Sequence, residues 1–163
     1  MGYNLTIGNA VPEFSKDYGE LSARWVVPFV KLPDAPTFPN DDLTVNSNGR
    51  SPSYIGWSDF CDEVGLKRLF YDESDGLLRP HPGCKLLTVA HHTEVLAALQ
   101  RRQTISARPP GFPGESTYNK ETQTWEPPPD ADKYDPQLAR LLWLEWWMRW
   151  ALANCETPAF ENT

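Results

Sequence analysis

LLWLEWWMRWAL, Leu141 to Leu152, places Trp143, Trp146, Trp147 and Trp150 within eight residues. A bilayer span needs about 20 predominantly apolar residues. Here Arg140, Glu145 and Arg149 interrupt the run, and Asn154 and Glu156 follow it, so no transmembrane helix is expected. The surrounding signals are those of a water-soluble helix. Asp135 is a good N-cap, Pro136 suits a first turn, and Glu145 and Arg149 stand four apart in the favourable order for an ion pair. These features predict a helix from Pro136 to Asn154. Its polar stripe (Gln137, Arg140, Glu145, Arg149) is narrow, which points to a helix buried on more than one face, central to the core. A sharper alternative brings one or two rings to the surface as anchors for a partner, since tryptophan is enriched in binding hot spots. Trp143, Trp147 and, farther upstream, Trp125 are the candidates for that role.

Working outward, the segments on both sides of this helix are rich in proline. Residues 33–52 and 108–135 read as long ordered loops over a single domain, 1–163. Within the second, TYNKETQTWEP is compatible with a small hairpin that sets Tyr118 opposite Trp125, or with an ordered loop. LTVAHHTEVLAALQRRQ reads as a helix capped by Thr88, with Val95, Leu96 and Leu99 inward and Arg101 and Arg102 near its cation-favouring end. SPSYIGWSDFCDEVGL reads as a helix from about Ser53 to Gly65, its stripe being Tyr54, Trp57, Cys61 and Val64. LKRLFY adds a further turn.

At the start, YNLTI alternates with Tyr3, Leu5 and Ile7 on one side. RWVVPFVKL, residues 24–32, is a second strand candidate in which Pro28 cannot donate to a ladder. With EFSKDYGEL taken as the connection, the two are expected to pair as an antiparallel hairpin. The class is therefore α+β: an N-terminal antiparallel β-hairpin, about three helices with the tryptophan helix central, and long proline-rich loops.

Composition bounds the function. A net charge of −7 argues against generic nucleic-acid binding, which requires clustered Lys and Arg. Basic and acidic residues number four and six in 1–50, six and seven in 51–103, and five and nine in 104–163. The excess of acid thus gathers in the last third, a surface that serves solubility and also suits a basic protein partner. Cys61, Cys84 and Cys155 are odd in number and at no motif spacing, which favours reduced thiols in a cytoplasm. The opening MGYNLTIGNAV has neither the basic nor the apolar region of a signal peptide.

HPGCKLLTVAHH is the one segment dense in chemistry-bearing side chains. His81, Cys84, His91 and His92 are zinc-ligand types, but the second tight pair of a zinc motif is missing, so no metal site is expected. Cys84 or Cys61 with a histidine would make a nucleophile and base, as in a small hydrolase, only if the fold brings them together. No G-x-S-x-G, no H-E-x-x-H and no phosphate-cradling glycine loop is present, and no cofactor is expected. Arg79, Lys85, Arg101 and Arg102 flank His81, His91 and His92. Those seven residues are the candidate set for a small nucleotide ligand.

NLTIGNAV, SPSYIGWSDFC, GLLRPHPGC and WLEWWMRWALANCETPAFEN resemble segments of small proteins encoded in bacteriophage genomes, and the likeness covers most of the chain. The resemblance implies a small phage accessory protein in the host cytoplasm. Such proteins block or sequester components of host defence. No catalytic or binding residue carries over from it. Four roles follow as expectations: a binder of a host protein, a sponge for a nucleotide immune signal, a Cys/His-dependent hydrolase or zinc enzyme, and a self-assembling protein whose tryptophan helix is the subunit interface.

Overall fold

The computed structural model describes residues 1–17, 20–36, 46–105, 116–127 and 135–163. In chain order the elements are β1 (Leu5–Asn9), β2 (Val11–Asp17), β3 (Glu20–Val26), β4 (Gly49–Arg50), α1 (Tyr54–Val64), α2 (Lys67–Tyr71), β5 (Gly83–Leu86), α3 (Val89–Ile105), β6 (Thr117–Asn119), β7 (Thr124–Glu126), α4 (Pro136–Asn154) and β8 (Pro158–Asn162). The class is α+β, as the sequence predicts, with α2 as the extra turn after α1. No helix among the described residues is long and apolar enough to cross a membrane.

The helices begin and end on local chemistry. Asp135 caps α4 by accepting from the backbone N–H groups of Gln137 and Leu138, both at 3.1 Å. Ser53 Oγ accepts from Gly56 N at 3.0 Å to start α1. Gly65, in the left-handed region at φ 76°, ends that helix while Leu66 N reaches back to Cys61 O at 2.8 Å. At α3 the cap is reciprocal. Thr88 Oγ1 accepts from His91 N, and His91 Nδ1 accepts from Thr88 N at 3.2 Å. Histidine here occupies the place that Glu or Gln holds in a capping box.

α4 is the centre of the core. Leu138, Ala139, Leu141, Trp143, Leu144, Trp147, Met148 and Ala151 are all buried, so burial runs around most of its circumference. α3 packs along it, and β1 and β8 pass beneath. Trp57, Phe60 and Phe70 complete the core, with Phe70 against Phe160 of β8 at 5.6 Å between ring centroids. Each such ring removes on the order of 150–250 Å² from water.

The main sheet has the order β4-β1-β8-β5, antiparallel throughout. Here the strand pairing differs from the sequence expectation. β1 lies between β4 and β8, with Leu5 opposite both Arg50 and Asn162, and does not pair with the strand containing Trp25. The antiparallel hairpin exists, but it is built from β2 and β3, with Asp17 opposite Glu20. The stretch read as a connection is thus mostly strand. Leu5 and Ile7 are fully buried, and the core that covers them is supplied by distant elements.

After β3 the chain crosses the outer face of the sheet as an extended strap. Val27 lies over Gly8, where a Cβ would sit 3.1 Å from Val27 Cγ1. Phe29 lies over Gly49 at the same separation. Asn48, buried, ties the strap down by accepting from Val30 N at 2.7 Å and donating to Pro28 O and Ile7 O. Of the two predicted long loops, 33–52 contains β4, and 108–135 carries the β6–β7 hairpin. Residues 37–45, 106–115 and 128–134 lie outside the described residues.

Candidate functional site

The two α4 tryptophans offered as partner contacts are core residues. Trp143 is 1% exposed and Trp147 is 0%. Trp143 Nε1 donates to Ser47 O at 2.9 Å, and the Arg50 guanidinium lies over its ring at 5.4 Å. Trp146 and Trp150 stack edge-on against Trp147 at 4.8 and 5.3 Å and are half-buried. An indole enclosed in this way touches no partner, so the contact role fails for Trp143 and Trp147. Trp125 is different, being 70% exposed.

The seven candidate ligand residues do not converge. His81 Nδ1 bonds Asn162 Oδ1 at 2.6 Å. The Asn162 amide nitrogen is committed to the carbonyls of Leu77, Pro80 and Gly83, so its oxygen is the acceptor and His81 Nδ1 carries the proton. His81 Nε2 then faces Tyr54 Oη at 3.4 Å, beside Tyr3. Arg79 is exposed near this imidazole in sequence. Lys85 donates to Gly76 O, while His91 lines a separate depression with Arg68, Asp75 and Glu94. Burial holds the His91 imidazole below its ordinary pKa. His92 Nε2 meets Glu145 Oε1 at 3.1 Å, and that same oxygen accepts from Arg149. Arg101 lies against Val64 O, and Arg102 is taken up by Asp135 and Glu63.

The cysteines are equally scattered. Cys61 is in the core, where burial pushes its thiol far up. Cys84 faces the outer side of the sheet with Ala10, Val27 and Ala159, opposite to the side on which Asn162 holds His81. Its thiol is raised to about 11, by burial first and then by Glu161. Burial likewise raises Cys155. At neutral pH these are thiols rather than nucleophilic thiolates. Among the described residues no group of three or more His, Cys, Asp or Glu side chains is placed to hold a metal ion.

Among the described residues the surface presents two aromatic ribbons. In the β6–β7 hairpin, Tyr118 pairs with Trp125, the hairpin alternative of the two the sequence left open, their rings 5.3 Å apart. Tyr118 is 48% exposed. Period-two alternation puts this pair on one face and Thr117, Asn119, Thr124 and Glu126 on the other. The polar face is self-bonded: Asn119 Nδ2 donates to Glu126 Oε1 at 2.6 Å, and Asn119 Oδ1 accepts from Glu121 N and Thr122 N.

The β2–β3 ribbon repeats the arrangement. Pro12 lies opposite Trp25 and Phe14 opposite Ala23, so Pro12, Phe14 and Trp25 belong to one face. Glu13 and Arg24 are paired on the other face at 2.6 Å. Phe14 is 62% exposed and Trp25 55%. Neither residue stands among the sequence candidates; the signal is the alternation of Pro12 and Phe14 about Glu13, which is cut in two when EFSKDYGEL is taken as a connection. The chain matches no family model, no curated protein and no solved structure.

Proposed function

We propose that the chain is a non-enzymatic binding protein that acts by occupying a protein partner, in the manner of a phage accessory factor that blocks a component of host defence. The observation that carries this reading is the Tyr118–Trp125 pair. A short two-stranded hairpin is marginal by itself in water, yet this one invests its polar face in self-bonding and leaves two large rings outward. Rigid aromatic side chains displayed this way supply large contact area at low entropic cost. Among the described residues the histidines, arginines and cysteines are dispersed, which favours this reading over the nucleotide and hydrolase ones. The acidic balance of the chain fits a basic partner surface.

The test is recovery of the partner from cells expressing the tagged chain, followed by titration of wild type, Trp125→Ala and Tyr118→Ala. A hot-spot indole contributes at least about 2 kcal/mol, or roughly thirtyfold in affinity. Both variants should keep the wild-type melting curve while losing affinity on that scale. Equal affinity of all three proteins would remove the hairpin, and with it this reading.

A further inference from the structure

β5 is an outer strand of the four-stranded sheet. Its register pairs Gly83 with Asn162 and Lys85 with Phe160, and Leu87 N donates to Pro158 O at 2.8 Å. Antiparallel ladders alternate bonded and non-bonded pairs. Gly83, Lys85 and Leu87 therefore turn their main-chain groups toward β8, while Cys84 and Leu86 turn theirs away from it. Among the described residues nothing in the chain pairs with that outward row. Exposed edges are ordinarily blunted by charge, proline or a covering segment. This one carries Leu86 at the outward position, 61% exposed.

The β2–β3 ribbon stands beside the same edge. Between them is a cleft of about 330 Å³ whose lining includes Arg24, Trp25, Pro82, Gly83, Cys84 and Glu161. A strand added to β5 opposite Cys84 directs that residue's side chain to the outer face of the sheet, into the space beside Trp25 and Cys84. The residue two positions along lies next to Leu86. The first seat offers the Trp25 ring and the Cys84 side chain between the charged Arg24 and Glu161, and the second offers Leu86. The Arg24 guanidinium is engaged by Glu13, and the Glu161 carboxylate, which accepts from Val27 N at 2.7 Å, supplies the remaining charge of the cleft. With a chain carrying −7 overall, a cationic neighbour on the incoming strand is complementary.

We propose that the β5 edge is a strand-addition site for an extended segment of a protein partner, with apolar side chains two residues apart and an adjacent lysine or arginine. Main-chain pairing supplies affinity, and the Trp25–Cys84 cleft supplies selection. This surface is distinct from the Tyr118–Trp125 hairpin, so the two proposals stand or fall separately.

The decisive variant is Leu86→Pro. It deletes one outward N–H and none of the bonds to β8, and Lys85 before it already has the extended conformation that a following proline favours. A displayed library of random peptides is selected against the full chain, and the enriched peptides are synthesised and titrated. The expected result is enrichment of alternating apolar residues near Lys or Arg. Leu86→Pro and Trp25→Ala should each weaken binding about tenfold, equivalent to ~1.4 kcal/mol. Amide hydrogen exchange at Cys84 and Leu86 in the wild-type chain should slow when peptide is added. That readout decides the matter if Leu86→Pro fails to fold. A library that enriches nothing, equal binding by Leu86→Pro, or unchanged exchange at both amides overturns the proposal. Self-association abolished by Leu86→Pro in the absence of peptide would place a second copy on the edge, and overturns it as well.

Discussion

Arg102 grips Asp135 with two parallel bonds, Nε to Oδ2 at 2.8 Å and a terminal nitrogen to Oδ1 at 3.0 Å. The pair joins the end of α3 to the N-cap of α4, and Asp135 is almost fully buried beneath it. One carboxylate thus does two tasks, since its Oδ1 also caps the helix. Asp135→Ala removes the cap, which is worth about 1 kcal/mol, and strips Arg102 of its buried partner. Arg102 keeps Glu63, so the lost charge-assisted bonds add about 1.5–3 kcal/mol and a total loss of about 2–4 kcal/mol is expected. Asp135→Asn keeps an acceptor at the cap and should lose less. Denaturant titration of both variants measures the difference.

Among the tryptophans, Trp147 and Trp125 stand at opposite ends of burial, 0% and 70% exposed. Truncating a fully buried indole costs on the order of 3–5 kcal/mol, so Trp147→Ala should unfold or nearly unfold the domain. Trp125→Ala, on an exposed hairpin, should fall within about 0.5 kcal/mol of wild type. Thermal melts of the two variants side by side check the assignment of core and surface.

The reciprocal cap of α3 makes stability depend on pH. His91 accepts from Thr88 N through Nδ1, which requires the neutral ring, and burial lowers its pKa below the ordinary 6.5. The unfolded chain then binds a proton that the folded chain refuses, so stability rises with pH across this interval. The contribution is complete above about pH 6.5 and is lost as pH falls below that value toward the lowered one. Melting temperature should drop on acidification through this window in wild type. His91→Gln, which keeps a side-chain acceptor that does not titrate, should flatten that part of the profile. A pH-independent difference between the two proteins would contradict the mechanism.

Thiol reactivity should report the enclosure of the cysteines. With Cys84 raised to about 11, only a small fraction is thiolate at pH 8, and alkylation should be much slower than for a free thiol. Its rate should keep rising as pH climbs toward 11. Cys61, enclosed in the core, should react only on unfolding. Mass spectrometry of iodoacetamide-treated protein, resolved by peptide, distinguishes the sites. Rapid modification of Cys84 at neutral pH would mean that the outer face of the sheet is more open than the packing of Val27 and Ala159 implies.

Local chemistry was legible in the sequence wherever donor and acceptor lie within a few residues of one another. Asp135 and Pro136 announced the start of α4, Ser53 and Gly65 the ends of α1, and Thr88 the cap of α3. The Glu145–Arg149 pair was readable for the same reason, because four-residue spacing on a helix leaves one geometry, whereas TYNKETQTWEP left a hairpin and a loop open and the structure decides for the hairpin. Strand partners were not readable. β5 sits in a turn-rich stretch and β8 begins with proline; β8 acquires its register only by closing on β1 across the whole chain, and β5 by closing on β8. The chain's aromatic content likewise announces a core without saying which rings fill it. Trp147 and Trp125 belong to the same residue type, and only the packing of α3, β1 and β8 around α4 puts one inside and leaves the other in water. The same holds for His81, His91 and His92. Their spacing suggested a cluster, but a helix start and a sheet edge point them in different directions, and direction is set by the fold.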